Sequence, residues 1–338
     1  MMLVNNSGSG SYAPLHHAAW NGWTFTDTVF PFFLWIAGMA MTFSFARRVE
    51  SGADRGKLAL HTLRRALFIF ALGLFLNGFP SYHLATLRIP GVLQRIAVCY
   101  LLAAMVFLYC SRRAQVMVTV ACLLGYWALM TLVPVPGHGA GVLEREGNLE
   151  QYIDSLFLSG HMYGATKIYD PEGILSTIPA VATTMAGILT GHLLRGTLPA
   201  LEKLAWMFFS GNILIFLGVF WDKAFPINKN LWTSSFAVLM AGLALVTFAC
   251  CYWLIDIKGW KQWCRPLAIY GSNAIAVYVV AGMVSRLLTI SGWRTPLYEG
   301  AVNLFGGPNG SLVYAMGHVL LLYLLAWALY QKRWFLKV

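Results

Sequence analysis

Nine stretches of the chain approach or exceed the ~20 apolar residues that a helix needs to cross the hydrocarbon core of a bilayer. They fall at roughly 24–46, 62–80, 90–110, 114–133, 174–194, 204–221, 231–254, 266–285 and 311–330. Lipid offers no hydrogen bonds, so a backbone that crosses it must form helices or a closed barrel. The short alternating segments of a barrel do not occur here. Only 11% of the residues are charged, against about 25% in soluble domains, and the mean hydropathy is +0.64. The expected fold is all-α: a polytopic helical membrane protein forming one domain over 1–338.

The net charge of +11 would fit a nucleic-acid binder, but its placement argues otherwise. With connections assigned alternately to the two faces, sixteen of the 24 Lys and Arg residues lie on one face. The other face carries most of the carboxylates and is close to neutral. That asymmetry is the positive-inside rule, which makes the basic face cytoplasmic. The expected setting is a bacterial inner membrane, with the C-terminus inside, the tail 1–23 outside and no nucleic-acid partner. The six cysteines (Cys99, Cys110, Cys122, Cys250, Cys251, Cys264) lie in spans or on the basic face, without metal-ligand spacing, and read as small apolar fillers.

The start, "MMLVNNSGSG", reads as the last turn of a first helix whose beginning is missing, and not as a signal peptide. "SGSGS" at 7–11 reads as a turn. The long connections, 77–89, 134–173, 222–230 and 286–310, fall on the outer face. Within 134–173, "VPVPGHGAG" breaks any helix and "LEQYIDSLFL" fits a short amphipathic one. "GILTG" at 187–191 has the small-residue spacing that lets membrane helices approach closely.

Ionisable and amide groups at membrane depth are costly and mark functional candidates. Asp27, Asn77, Arg88, Arg95, Asp170, Glu172, Lys229 and Asn273 are expected at or near outer ends of spans. Arg88 and Arg95 in "LRIPGVLQRIA" also fit interfacial arginines. His17 is the leading candidate, because an ordinary imidazole exchanges protons near neutral pH. Asp27, ten residues on, opens the next helix and can orient it, as a carboxylate orients a general base. The same pair also fits a hydrogen-bonded structural histidine. Adjacent His16 and His17 share no face, and no metal motif accompanies them. In "IYDPEGILSTIP", Asp170 suits an N-cap and Pro171 the first helical position. With "FPINKNLWTSS" it places charged and amide groups directly before a span, as the cover of a cavity would.

Taken together, "LVNN", "HAAWNGWTFTDTVFPFFLWIAG", "LRIPGVLQRIAV", "LVPVPG", "YDPEGILSTI", "PINKNLWTSS" and "YGSNAIAVYV" resemble the heparan-α-glucosaminide N-acetyltransferase family, in its order and over nearly the whole chain. The family's first helix, with an LDxxRG pattern, is expected ahead of "LVNN". The resemblance implies transfer of acetyl from cytoplasmic acetyl-CoA to the amine of a terminal glucosamine on the outer side, without a metal. It implies His17 as the active-site histidine and Asn6 as the essential asparagine, with Asp27 orienting His17. Asp170, Glu172, Asn228, Lys229 and Asn230 are expected around the sugar, and Arg88, Arg95 and Asn273 at acetyl-CoA. A homodimer is one open arrangement. Rival readings are an O-acyltransferase of envelope sugars and a proton-coupled transporter.

Overall fold

The computed structural model describes residues 1–8 and 10–335, and the described residues are overwhelmingly helical. The helices are α1 (Met2–Asn6), α2 (Phe25–Glu50), α3 (Arg55–Gly78), α4 (Val92–Tyr109), α5 (Arg112–Leu132), α6 (Leu149–Phe157), α7 (Thr177–Arg195), α8 (Ala200–Trp221), α9 (Ser234–Tyr252), α10 (Arg265–Ser272), α11 (Ala274–Ile290), α12 (Arg294–Phe305) and α13 (Gly307–Gln331). A π-turn, Trp253–Ile257, extends α9. Among the described residues, eight helices are long and apolar enough to span a membrane, and α10 with α11 makes a ninth, bent span. The chain is an integral membrane protein.

Orphan amides at helix starts find partners in side chains, as lipid-facing ends require. Asp54 accepts from the Gly56 and Lys57 amides, Ser111 from Ala114 and Asn148 from Gln151. Thr24 and Asp27 form a capping box that opens α2.

α7 is the hub of the bundle: 61% of its apolar window is buried, against 17% for α8 and 22% for α13, which face lipid. It packs against α2, α4, α5 and α9. Glycine makes the α2–α7 approach possible. A Cβ on Gly38 would lie 1.9 Å from the Thr184 carbonyl oxygen, and one on Gly187 would lie 1.9 Å from that of Trp35. Gly191 is pressed in the same way on Thr42. The "GILTG" spacing is thus the contact surface of the two helices.

Two regions depart from the sequence expectation. The stretch 266–285 is not one straight span: it bends by 80° between α10 and α11, at Asn273. Gly271, Ser272 and Asn273 hold a helix weakly, since short polar side chains compete for backbone groups. Here Asn273 Nδ2 donates to the Trp334 carbonyl at 3.1 Å. Asn273 therefore lies beside the C-terminal end of α13, at the basic end of the bundle and not at the outer end. The start of the chain, in turn, is docked: α1 lies against α13, and the Gly8 amide donates to Ser311 Oγ at 3.1 Å.

Gly187→Ala should lower the thermal stability of the detergent-solubilised protein by roughly 1–3 kcal/mol, the usual cost of overpacking, because the atom it meets is backbone. Gly125→Ala on the exposed face of α5, where a Cβ meets nothing within 4 Å, should leave the melting temperature unchanged or slightly raised.

Candidate active site

The tail after α1 returns over the end of the bundle formed by the start of α2 and the α8–α9 connection, and is pinned there. The Gly22 amide donates to the Ile227 carbonyl at 2.7 Å, and Asn228 Nδ2 donates to Asn21 Oδ1 at 3.2 Å. Gly22 has φ +91°, a conformation suited to glycine. Asn228 also holds its own turn, its Oδ1 accepting the Leu231 amide at 3.0 Å. This join carries Lys229 from the α8–α9 connection onto the tail.

There His17 Nδ1 lies 2.6 Å from Asp27 Oδ1, with the His17 side chain 54% exposed and Asp27 only 1% exposed. Asp27 Oδ2 accepts from the Ala18 amide at 3.1 Å, the Thr24 amide at 3.0 Å and Thr24 Oγ1 at 3.1 Å. Lys229 Nζ stands 3.2 Å from Asp27 Oδ1 and 2.9 Å from His17 Nδ1. A carboxylate cannot donate, and a bare Nδ1 at 2.6 Å from it would set two lone pairs against each other, so the contact assigns the proton to Nδ1, which donates to Asp27; Lys229 then donates to Asp27 Oδ1 and not to the ring. That leaves Nε2 as an acceptor on the exposed side of the ring. His16 turns the other way, its Nε2 meeting the Ser11 carbonyl at 3.0 Å.

A second cluster braces the connection before α7. Arg88 grips Asp170 through Nε at 2.8 Å and Nη2 at 2.6 Å, pairs also with Glu172, and lies over the Tyr163 ring. Burial alone would lower the proton affinity of Arg88, but the two carboxylates more than reverse this and hold it above its ordinary range. Arg95 is buried. It donates to the Pro171 and Gly173 carbonyls, both at 3.0 Å, and to Ser176 Oγ. Asp154 accepts the Ile174 amide at 3.0 Å, and burial pushes its carboxyl up to about 6. Burial and the nearby Asp154 raise Glu150 far above the usual carboxylate range, and it lies beside the Tyr126 hydroxyl. The Tyr126 hydroxyl donates to the Leu231 carbonyl at 2.6 Å.

Two cavities run through the bundle. The outer one, about 390 Å³, is lined by polar groups including Asn5, Asn6, Asn77, Arg88, Tyr163 and Arg286. The second, about 270 Å³, is mostly apolar and descends past Ala37, Met41 and Ile275 to Ser44, Tyr100 and Arg65. Val92 and Tyr278 line both, so the two cavities are neighbours across those side chains.

The residues expected from sequence thus fall into separate groups. His17, Asp27 and Lys229 come together. Arg88, Asp170 and Glu172 form one ion cluster at the outer cavity. Asn6 lines that cavity and donates to the Met2 carbonyl at 2.8 Å, without meeting His17. Asn228 and Arg95 hold loop backbone, Asn230 is half-buried in the same turn as Lys229, and Asn273 is at the far end. Sequence reasoning missed Arg286, Tyr163 and the buried acids Glu150 and Asp154. The i, i+4 spacing of those two acids on one face of α6 was the available signal.

No protein-family model matches the chain. Heparan-alpha-glucosaminide N-acetyltransferase of Homo sapiens is similar to it, 30% identical over 335 residues that cover 82% of this chain and 50% of that protein. The Mus musculus protein of the same name is 27% identical over 394 aligned positions, covering 100% of this chain and 58% of that protein. The chain spans about half the length of the curated relatives it matches.

Arg88→Ala leaves the fully buried Asp170 without its guanidinium. Removing one partner of a buried pair costs about 3–5 kcal/mol, so thermal melting should show a large loss of stability, only partly recovered by Arg88→Lys, which cannot make the two-pronged contact.

Proposed function

The chain is a relative of the heparan-α-glucosaminide N-acetyltransferases, and on that premise we propose that it moves acetyl from acetyl-CoA on its basic, cytoplasmic side to the amine of a glucosamine-type sugar on the other side. The observation that carries the reading is the His17–Asp27 pair. A carboxylate withdrawn from water holds Nδ1–H at 2.6 Å, while the opposite nitrogen of a half-exposed ring can accept a proton at the outer end of the bundle.

The chemistry follows from that arrangement. The acceptor arrives as an ammonium and loses one proton to water. Its free amine attacks the thioester carbonyl, forming the N–C bond, and His17 Nε2 takes the second amine proton. The C–S bond breaks, CoA leaves as thiolate, and His17 returns its proton to the thiolate or to water. Asp27 stabilises the imidazolium formed in between, as an orienting carboxylate does for a general base. The two neighbouring cavities, which share Val92 and Tyr278, support a course for the extended pantetheine arm from the Arg65 end once those side chains shift. Asn6 lines the polar cavity apart from His17, where its amide is a donor toward the sugar or the acetyl carbonyl as these enter.

Reconstituted protein supplied with radiolabelled acetyl-CoA and glucosamine tests this reading, since the product distinguishes N-acetyl sugar, O-acetyl sugar and no transfer. His17→Ala should cut turnover by about 10²–10⁴-fold, the usual worth of a positioned proton-transfer group, with an unchanged melting temperature. Asp27→Asn should reduce it less and His16→Ala least. Retained transfer in His17→Ala would remove the base from the mechanism.

A further inference from the structure

A base must be neutral when its proton is due to arrive. The buried Asp27 carboxylate works against this, because a negative charge 2.6 Å from Nδ1 favours the imidazolium. The structure places a third group on the same two atoms. Lys229 Nζ is 2.9 Å from His17 Nδ1 and 3.2 Å from Asp27 Oδ1.

We propose that Lys229 is a positioning residue that keeps His17 neutral and proton-accepting before attack, by setting an ammonium against Asp27. This rests on the acetyltransferase reading and assigns Lys229 to the base instead of to the sugar.

The charge arithmetic supports the assignment. With His17 neutral, Asp27 and Lys229 cancel, and the cluster carries no net charge. Protonation of His17 then places two positive groups within contact distance of one carboxylate, which favours prompt release of the proton. Charges from the other packed elements leave the balance intact. Arg145, on the outer loop, spends its Nη2 on the Ala19 carbonyl at 2.7 Å and lies over the Trp20 ring. His16 faces Ser11. The placement of Lys229 is enforced by the Gly22–Ile227 and Asn21–Asn228 hydrogen bonds, so its ammonium is delivered by the fold and not by a free side chain.

The proton state of His17 is readable without turnover. Diethyl pyrocarbonate modifies unprotonated imidazole, and mass spectrometry resolves His17 from His16 in the full chain held in lipid vesicles. In Lys229→Met the pH midpoint of His17 modification should rise by about one unit, as expected for loss of a contacting cation at a partly exposed site. Lys229→Arg should bring it back. The acid limb of kcat/KM for glucosamine acetylation should move by the same amount. A midpoint unchanged or lowered in Lys229→Met overturns the inference. Should that variant fail to fold, Lys229→Gln, which keeps a donor toward Asp27 without the charge, makes the same comparison. A raised midpoint in protein that acetylates no sugar would leave the Lys229–His17 coupling standing and remove the acetyltransferase reading.

Discussion

A carboxylate at 1% exposure in the first turn of a membrane helix is tolerated only when its charge is met on every side. Asp27 is so met. The amides of Ala18 and Thr24, the Thr24 hydroxyl, the His17 ring and the Lys229 ammonium all converge on its two oxygens. The N-terminal end of the α2 dipole adds to them. The partners come from three pieces of chain: the tail, the cap of α2 and the connection before α9. Satisfying one buried charge therefore folds the tail down, draws the α8–α9 loop over it and turns His17 so that Nε2 faces outward. That end of the bundle is organised around the requirement.

The two halves of the bundle's thickness are held by different forces. Within the membrane, contact is steric: Gly38 and Gly187 let α2 and α7 touch backbone to backbone, and α8 meets α9 through Gly211, Gly218 and Gly242. At the outer end the bracing is polar. Arg88 and Arg95 stitch the connection before α7 to the start of α4, and Tyr126 ties α5 to the turn that carries Lys229. Directional hydrogen bonds in a region sheltered from water fix positions more sharply than apolar contact does. That is the stiffness the proposed proton transfer at His17 needs.

Much of this was legible in the sequence. The apolar blocks marked the spans, because bilayer thickness fixes their length. The spacing of His17 and Asp27 brought out their pairing, because ten residues of tail ending at a helix cap form a short loop. The bend at Asn273 was hidden, since hydropathy averages over a window and cannot register a Gly-Ser-Asn step inside it. The uses of Arg95 and Asn228 were hidden too: nothing local says whether a polar side chain will meet a ligand or a loop carbonyl from another part of the chain. The same holds for Lys229, whose meeting with His17 depends on a join between residues 22 and 227. Glu150 and Asp154 misled in the opposite sense, because acids on an amphipathic helix ordinarily face water, and here they face the core.

In the proposed function the bundle is a divider, with the thioester entering at the Arg65 end and the amine meeting His17 at the other. Sidedness of transfer examines that most directly. Vesicles would be oriented with the basic loops outward, radiolabelled acetyl-CoA supplied outside and glucosamine sealed inside, with neither able to cross. Labelled N-acetylglucosamine should appear inside the vesicles. Label appearing only when sugar and acetyl-CoA share one side would contradict it.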